Sequence, residues 1–372
     1  MKNNNYKILF IMHMPPPIHG AAMVGKYIHD SQIINETFDC YYFNLALSES
    51  LKDIGKGGLK KILRFIKQLW DIIKMVKKVK PKICYVTPNA CGKAFYKDFI
   101  VIMLLKIMKQ KIVIHYHNKG VSTKQDRFID NLLYRVFFKN IKVILLTNSL
   151  YEDIKKYVKR NDIFICPNGI PETLKEEPSV IRNNDIPHLL FLSNLIISKG
   201  ILVLLDACKI LKEKGYCFIC NVIGGETKEM NSKQFEKEIM KRGLKNEIIY
   251  NGKKYGKEKS IFFEQADIFV FPTYYYNETF GLVNLEAMEY KLPIVTTDEG
   301  GIKDVVKDGE NGFIAPKQNP NSLATCIEKL LCNKKLRYTM GENGYKRFKK
   351  EFTLTIFENQ MNKILLDCCK KL

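Results

Sequence analysis

The stretch "FVFPTYYYNETFGLVNLEAMEYKLPIVTTDEGGIKDVVKDGENGF", Phe269–Phe313, decides how the chain is read. The apolar run Ile268–Phe271 is ended by Pro272, and a polar loop, Thr273–Asn277, leads to Glu278, Thr279, Phe280 and Gly281. Leu282–Tyr290 then carries helical spacing until Pro293 opens the next apolar run, Pro293–Thr296. Strand, loop, helix and strand in that order are the repeating unit of a parallel sheet. Glu278 falls at the strand-to-helix turn, and Glu286 lies about two turns inside the helix. A helix N-terminus presents unpaired N–H groups and partial positive charge, which suit an anion. Gly281 lets backbone and ligand approach closely. Glu286 is placed to accept hydrogen bonds from ribose hydroxyls, and Glu278, farther out, from hydroxyls of whatever the phosphates carry. Together these features point to a sugar nucleotide.

Working outward, strand-like runs alternate with amphipathic helical stretches along the whole chain. Lys7–Met12, Ile83–Val86, Ile112–His117, Val143–Thr147 and Ile163–Cys166 read as buried strands in the first half. Leu189–Ser193, Phe218–Ile223, Ile248–Asn251, Ile268–Phe271 and Pro293–Thr296 do so in the second. The expected class is α/β: two Rossmann-like domains with parallel sheets, a ligand cleft lying between them beyond the C-terminal strand ends. A length of 372 residues also favours two domains over one. The polar segment Pro171–Pro187 is read as the linker. It separates an N-terminal domain, 1–175, from a C-terminal domain, 186–352, and 353–372 is expected as a helix packing back on the first.

Charge is uneven. Residues 1–185 carry 31 basic against 16 acidic side chains, and the remainder 29 against 23. Such a basic half suits an anionic partner. No recognised nucleic-acid module is present, so nucleic acid is not expected. Eleven scattered cysteines suggest no disulfide framework. Cys217 and Cys220 read as a buried structural pair rather than a metal site, and Cys368 and Cys369 carry no lipidation motif. No apolar run reaches the roughly 20 residues of a membrane span, so a cytoplasmic protein is expected.

Phe269–Phe313 closely resembles the donor-binding segment of the retaining glycosyltransferases of family 4, which adopt the GT-B fold. There an E-x7-E pair flanks an F-G-L turn and is followed by E-A-M, a Leu-Pro strand, a Gly-Gly turn and N-G-F. Other segments are similar to that family as well. "FLSNLIISKGILVLLDA", Phe191–Ala207, resembles the element carrying the diphosphate-binding basic residues: Lys199 matches the lysine, while Asn194 stands where the arginine is expected. "NVIGGETKEM", Asn221–Met230, resembles the turn bordering the base, through Gly224. "CPNGI", Cys166–Ile170, resembles the turn closing the N-terminal domain. "MPPPIHGAAM", Met14–Met23, resembles the first strand-to-helix loop, with Gly20 beside the donor phosphates and Ala21 at the second glycine position. In "HYHN", His115–Asn118, His117 matches the histidine facing the donor sugar.

The resemblance implies sugar transfer from a nucleotide donor, UDP being the family's commonest, with retention at the anomeric carbon. Glu278, Lys199 and His117 would be catalytic. Glu286, Thr279, Phe280, Gly281, Leu282, Asn194, Gly224 and Gly20 would bind the donor. No metal or cofactor is expected, the nucleotide sugar being a co-substrate. The acceptor is expected to be a saccharide, lipid-linked or part of a growing surface polysaccharide. "GGLKKILRFIKQLWDIIKMVKKVK", Gly57–Lys80, places Leu59, Ile62, Leu63, Ile66, Leu69, Trp70, Ile73 and Val76 on one helical face with lysines largely off it. That pattern reads either as a contact with an anionic membrane at its cytoplasmic face or as a core-facing Rossmann helix. A sugar-nucleotide epimerase and a non-catalytic sugar-nucleotide-binding subunit are the alternative readings.

Overall fold

The computed structural model describes residues 6–16, 20–46, 59–174, 182 and 184–371. Its strands are β1 Lys7–Met12, β2 Asp39–Asn44, β3 Ile83–Val86, β4 Ile112–Tyr116, β5 Lys142–Leu145, β6 Ile163–Ile165, β7 His188–Leu192, β8 Ile219–Ile223, β9 Ile248–Tyr250, β10 Ile268–Phe271, β11 Ile294–Thr297 and β12 Gly312–Ala315. The helices are α1 Gly20–Asp30, α2 Gln32–Thr37, α3 Leu59–Val79, α4 Gly92–Ile107, α5 Phe128–Phe138, α6 Ile201–Glu213, α7 Ser232–Lys241, α8 Gly256–Gln265, α9 Leu282–Glu289, α10 Ile302–Val305, α11 Pro320–Leu331, α12 Lys334–Glu351 and α13 Leu354–Lys371. The chain divides into two units, Met1–Gly169 with Leu354–Leu372, and Ile170–Thr353. Part of the loop Met14–Met23 (17–19), part of the linker (175–181 and 183) and the start of the Gly57–Lys80 segment (57–58, with the side chains of 59 and 60) lie outside the described residues.

The first unit holds a six-stranded sheet in the order β2-β1-β3-β4-β5-β6, every adjacent pair parallel. β3 and β4 are buried along their full length and β1 at all but its first residue, the continuous apolar run expected of a strand covered on both faces. α13 joins this unit: Phe357, Met361, Leu365 and Cys368, spaced along one helical stripe, pack with Ile28, Ile34 and Phe38. Each such side chain fully buried contributes about 1.5–3 kcal/mol. Cys368 and Cys369 are buried there.

The second unit repeats the architecture with the order β12-β11-β10-β7-β8-β9, again parallel throughout. The connections from β7 run outward through β8 and β9, and the chain then crosses to the other side of β7 to form β10. β7 and β10 are therefore neighbours whose C-terminal loops diverge, the switch point where open α/β sheets form a crevice. In the first unit the equivalent point lies between β1 and β3. Pro171–Leu174 are anchored within the second unit by Glu289, whose buried carboxylate accepts the Thr173 and Leu174 amides and the Thr173 hydroxyl.

Two strands escaped the sequence reading, and both are sheet edges. β2, "DCYYFN", is half-buried and has no aliphatic residue, and β12, "GFIA", is short and starts on glycine. The expectation of a buried cysteine pair also needs correction. Cys220 is buried in β8, where the Cys208 thiol meets it, but Cys217 precedes the strand and is exposed. A side chain just outside the strand is not constrained to the core.

Candidate active site

Lys199 ends a short 3-10 turn after β7, and Gly200 behind it has φ +91°, opening α6. A Cβ on Gly200 would stand 2.1 Å from the carbonyl oxygen of Pro272. Only glycine lets the loop after β7 lie on the end of β10 in this way. The Tyr274 amide donates to the Ser198 carbonyl at 2.8 Å and fastens the two loops. In consequence the Lys199 ammonium meets the Glu278 carboxylate, both side chains being largely buried, at 15% and 13% exposure. The same ammonium lies 4.5 Å from the centre of the Tyr275 ring and 5.5 Å from that of Phe271. Aromatic faces on a partly desolvated cation strengthen its hold on that position.

Glu278 is fixed from several sides. Its Oε1 accepts the Gly281 amide at 3.2 Å. A Cβ on Gly300, at φ +60°, would stand 2.2 Å from the Glu278 carbonyl oxygen, and the Gly301 amide donates to the Thr279 carbonyl at 2.8 Å. The Gly-Gly turn after β11 is thus the floor under the Glu278 loop. Gly281 takes a left-handed conformation and opens α9 with no side-chain cap of its own, at the turn that Glu278 closes by accepting its amide. Thr279 and Phe280 are buried, and the Phe280 ring packs edge-on against Phe352 at 5.9 Å. Phe280 holds the turn by its side chain, which leaves its backbone as the part available to a ligand. Leu282 begins α9 half-buried.

Glu286 lies one face along α9, half-exposed, with its Oε2 2.8 Å from the Lys259 ammonium of α8. Asn194 and Gly224 meet at the ends of β7 and β8. A Cβ on Gly224 would stand 1.7 Å from the Ser193 carbonyl oxygen, and Asn194 Oδ1 accepts the Gly225 amide at 3.1 Å. The Asn194 side chain therefore ties two loops together and contributes no charge. The aliphatic part of Lys253 runs alongside, 3.5 Å from the Cβ position of Gly225, and its ammonium sits 4.8 Å over the Tyr255 ring. Lys253 and Lys259 were not singled out in the sequence. Each is one of 60 basic residues, and no motif marks either.

His117 and Gly20 belong to the first unit. His117 follows β4, its ring 4.1 Å from that of His115. His115 is fully buried and shares a 2.6 Å hydrogen bond with the Tyr85 hydroxyl; burial, and then the neighbouring His117, push its pKa well below the usual histidine value. The loop beyond His117 is held by Asn118, whose Oδ1 accepts the Ala90 amide, and by Asp153, which accepts the amides of Gly120, Val121 and Ser122 and the Ser122 hydroxyl. Gly20 is the exposed first residue of α1.

Residues 172–347, nearly all of the second unit, match the family model of the glycosyl transferases group 1. Among curated relatives, the capsular polysaccharide biosynthesis glycosyltransferase CapM of Staphylococcus aureus is 30% identical over 232 residues, 59% of this chain and 60% of CapM. The chain thus matches three fifths of that relative's length. Among solved structures, sucrose-phosphate synthase from Thermosynechococcus elongatus is similar with a TM-score of 0.77 and 18% identity, covering 98% of this chain and 99% of that one. Anabaena HepE, solved in complex with UDP, gives 0.76 and 16%, covering 97% and 100%. At such identities the likeness establishes the fold, which is GT-B.

Proposed function

We propose that the protein is a retaining glycosyltransferase that moves a sugar from a nucleotide sugar, UDP-linked in this reading, to a lipid-linked or growing surface-polysaccharide acceptor. The observation that carries the proposal is the convergence of Lys199 and Glu278 at the uncapped head of α9. Breaking the bond between the sugar and the diphosphate leaves negative charge on the phosphates, which fixed cations and N–H dipoles stabilise. The diphosphate would take over Lys199 and the Thr279–Leu282 backbone and release Glu278 to the hydroxyls of the donor sugar. Lys253 would bring a second cation beside Asn194 and Gly224. Glu286 would exchange Lys259 for the ribose hydroxyls. His117 and Gly20 would serve the donor from the first unit, on the resemblance. The acceptor oxygen attacks the anomeric carbon on the face the diphosphate leaves, and its proton passes to the departing phosphate oxygen. No metal or cofactor enters this scheme. HepE's complex with UDP and CapM's place in capsule biosynthesis support the donor and acceptor classes.

The acceptor reading extends to an anionic membrane surface touched by the first unit. The C-terminal half of α3 faces the core through Ile72, Val76 and Val79, but Ile62, Leu63, Ile66 and Trp70 are each more than half exposed. α5 adds Phe128, Ile129 and Leu132, also more than half exposed, although its other face is already buried. Apolar side chains of this size beside lysines suit an interfacial helix. Among the described residues no helix is long and apolar enough to cross a membrane.

Thermal stabilisation against UDP-, GDP- and ADP-sugars tests the donor site, because a ligand bound by the native state alone raises the midpoint. A shift with one nucleotide class that Glu286→Ala abolishes is expected. No shift with any class, together with no sugar transfer to lipid-linked acceptors, would sink the proposal.

A further inference from the structure

At the opposite end of the first unit's sheet from His117, the strand starts and helix ends gather lysines. Lys7 begins β1, Lys82 and Lys111 immediately precede β3 and β4, and Lys80 and Lys109 follow the C-terminal ends of α3 and α4. These five line one hollow of about 540 Å³ to which no acidic side chain contributes. None of the five has an ion-pair partner among the described residues.

Two observations set the cluster apart from ordinary surface lysines. Lys80 and Lys109 adopt left-handed backbone, φ +51° and +55°, at helix-ending positions where glycine or asparagine is favoured. The third lysine with positive φ, Lys291, is explained by its surroundings: it is buried, paired with Glu342 at 2.7 Å and set over the Tyr345 ring. Lys80 and Lys109 are exposed and line the hollow. Attraction to a helix C-terminus accounts for a base at those two places but not for Lys7, Lys82 and Lys111, which sit at strand starts. Five like charges around one concavity repel one another unless an anion is present. The hollow is open to solvent, with Lys7, Lys80, Lys109 and Lys111 exposed, and lysine is a point-charge binder of phosphate.

We propose that this hollow is a second anion site, for a compact group carrying two or more phosphate charges, on the sheet end opposite that of His117. The group would be free in solution or displayed on a lipid headgroup. The inference does not depend on the transferase reading. The test uses the full chain, titrated calorimetrically with inorganic pyrophosphate at low and physiological salt and floated with neutral vesicles or vesicles containing phosphatidic acid. Lys199→Ala separates any binding at the other site. In Lys80→Asn/Lys109→Asn two charges go while asparagine keeps the left-handed turns, and Lys82→Gln/Lys111→Gln removes two from the strand starts. Both double variants are expected to lose at least tenfold in pyrophosphate affinity with an unchanged or higher thermal midpoint, and Lys199→Ala is expected to keep this binding. Loss of vesicle binding in the double variants, with no pyrophosphate binding by the wild type, would assign the group to a lipid headgroup. Wild-type behaviour of both double variants in both assays, or binding of neither probe by the wild-type chain, would overturn the proposal.

Discussion

Lys199 and Glu278 form an ion pair, so under the proposed function a donor diphosphate would compete with an internal partner for that cation. Lys199→Ala is expected to lower kcat by roughly 10² or more, by analogy with removal of one electrostatic stabiliser. Glu286→Ala should raise the donor KM with a smaller effect on kcat; steady-state kinetics on both variants distinguish the two roles, and equal profiles would refute the assignment. Gly224→Ala should cost about 1–3 kcal/mol in a denaturant titration, since the new methyl has to displace the Ser193 carbonyl. The two glutamates were legible as candidates through the resemblance of Phe269–Phe313 to a donor-binding segment, since a spacing of eight alone marks nothing. Lys259 and Lys253 were not, because their placement beside Glu286 and Gly225 comes from neighbours distant in the chain. Glu286 meets Lys259 across two helices, and Lys253 reaches Gly225 from the next strand's loop. Proximity of that kind leaves no local pattern.

At the scale of elements, every inner strand announced itself, and of the four edge strands β6 and β9 did while β2 and β12 did not. β3 and β10 are unbroken apolar runs buried along their length, whereas β2 carries no aliphatic residue and β12 starts on glycine. Of the two readings of α3, the core-facing one holds for its C-terminal half, and the membrane contact stands as a proposal for the exposed first half. One helix changes role along its length, core-facing from Ile72 onward and apolar toward solvent before it. Periodicity alone reports an apolar stripe and not what lies against it. Ile66→Ser/Trp70→Ser should leave the thermal midpoint within experimental error, as exposed substitutions generally do, and reduce co-flotation with anionic vesicles severalfold. Undiminished flotation would exclude this helix from the contact.

For the whole molecule, pH is the simplest probe. His115 is held neutral in the folded first unit by burial, so below about pH 6.5, the ordinary value, the unfolded chain takes up a proton that the folded one refuses. Stability present above that pH should therefore be lost as the pH falls, with a limiting slope of about 1.4 kcal/mol per pH unit from this one group. His115→Gln, measured by urea titration from pH 7.5 to 5, should flatten the slope; an unaltered slope would place the acid sensitivity elsewhere.

The return of α13 to the first unit also bears on how the chain is made. The amide of Ile170, where the second unit begins, donates to Phe352, next to where it ends, at 3.0 Å, and Ile170 bridges Thr353. That unit is thus an insertion whose two ends lie side by side, and it can close on itself once Thr353 has left the ribosome. The first unit, although synthesised first, lacks Phe357, Met361 and Leu365 until the last helix emerges. Truncation after Thr353 should therefore leave the second unit protease-resistant, while the first, its core open where α13 is removed, is digested; equal resistance of both would show that α13 does not complete that core.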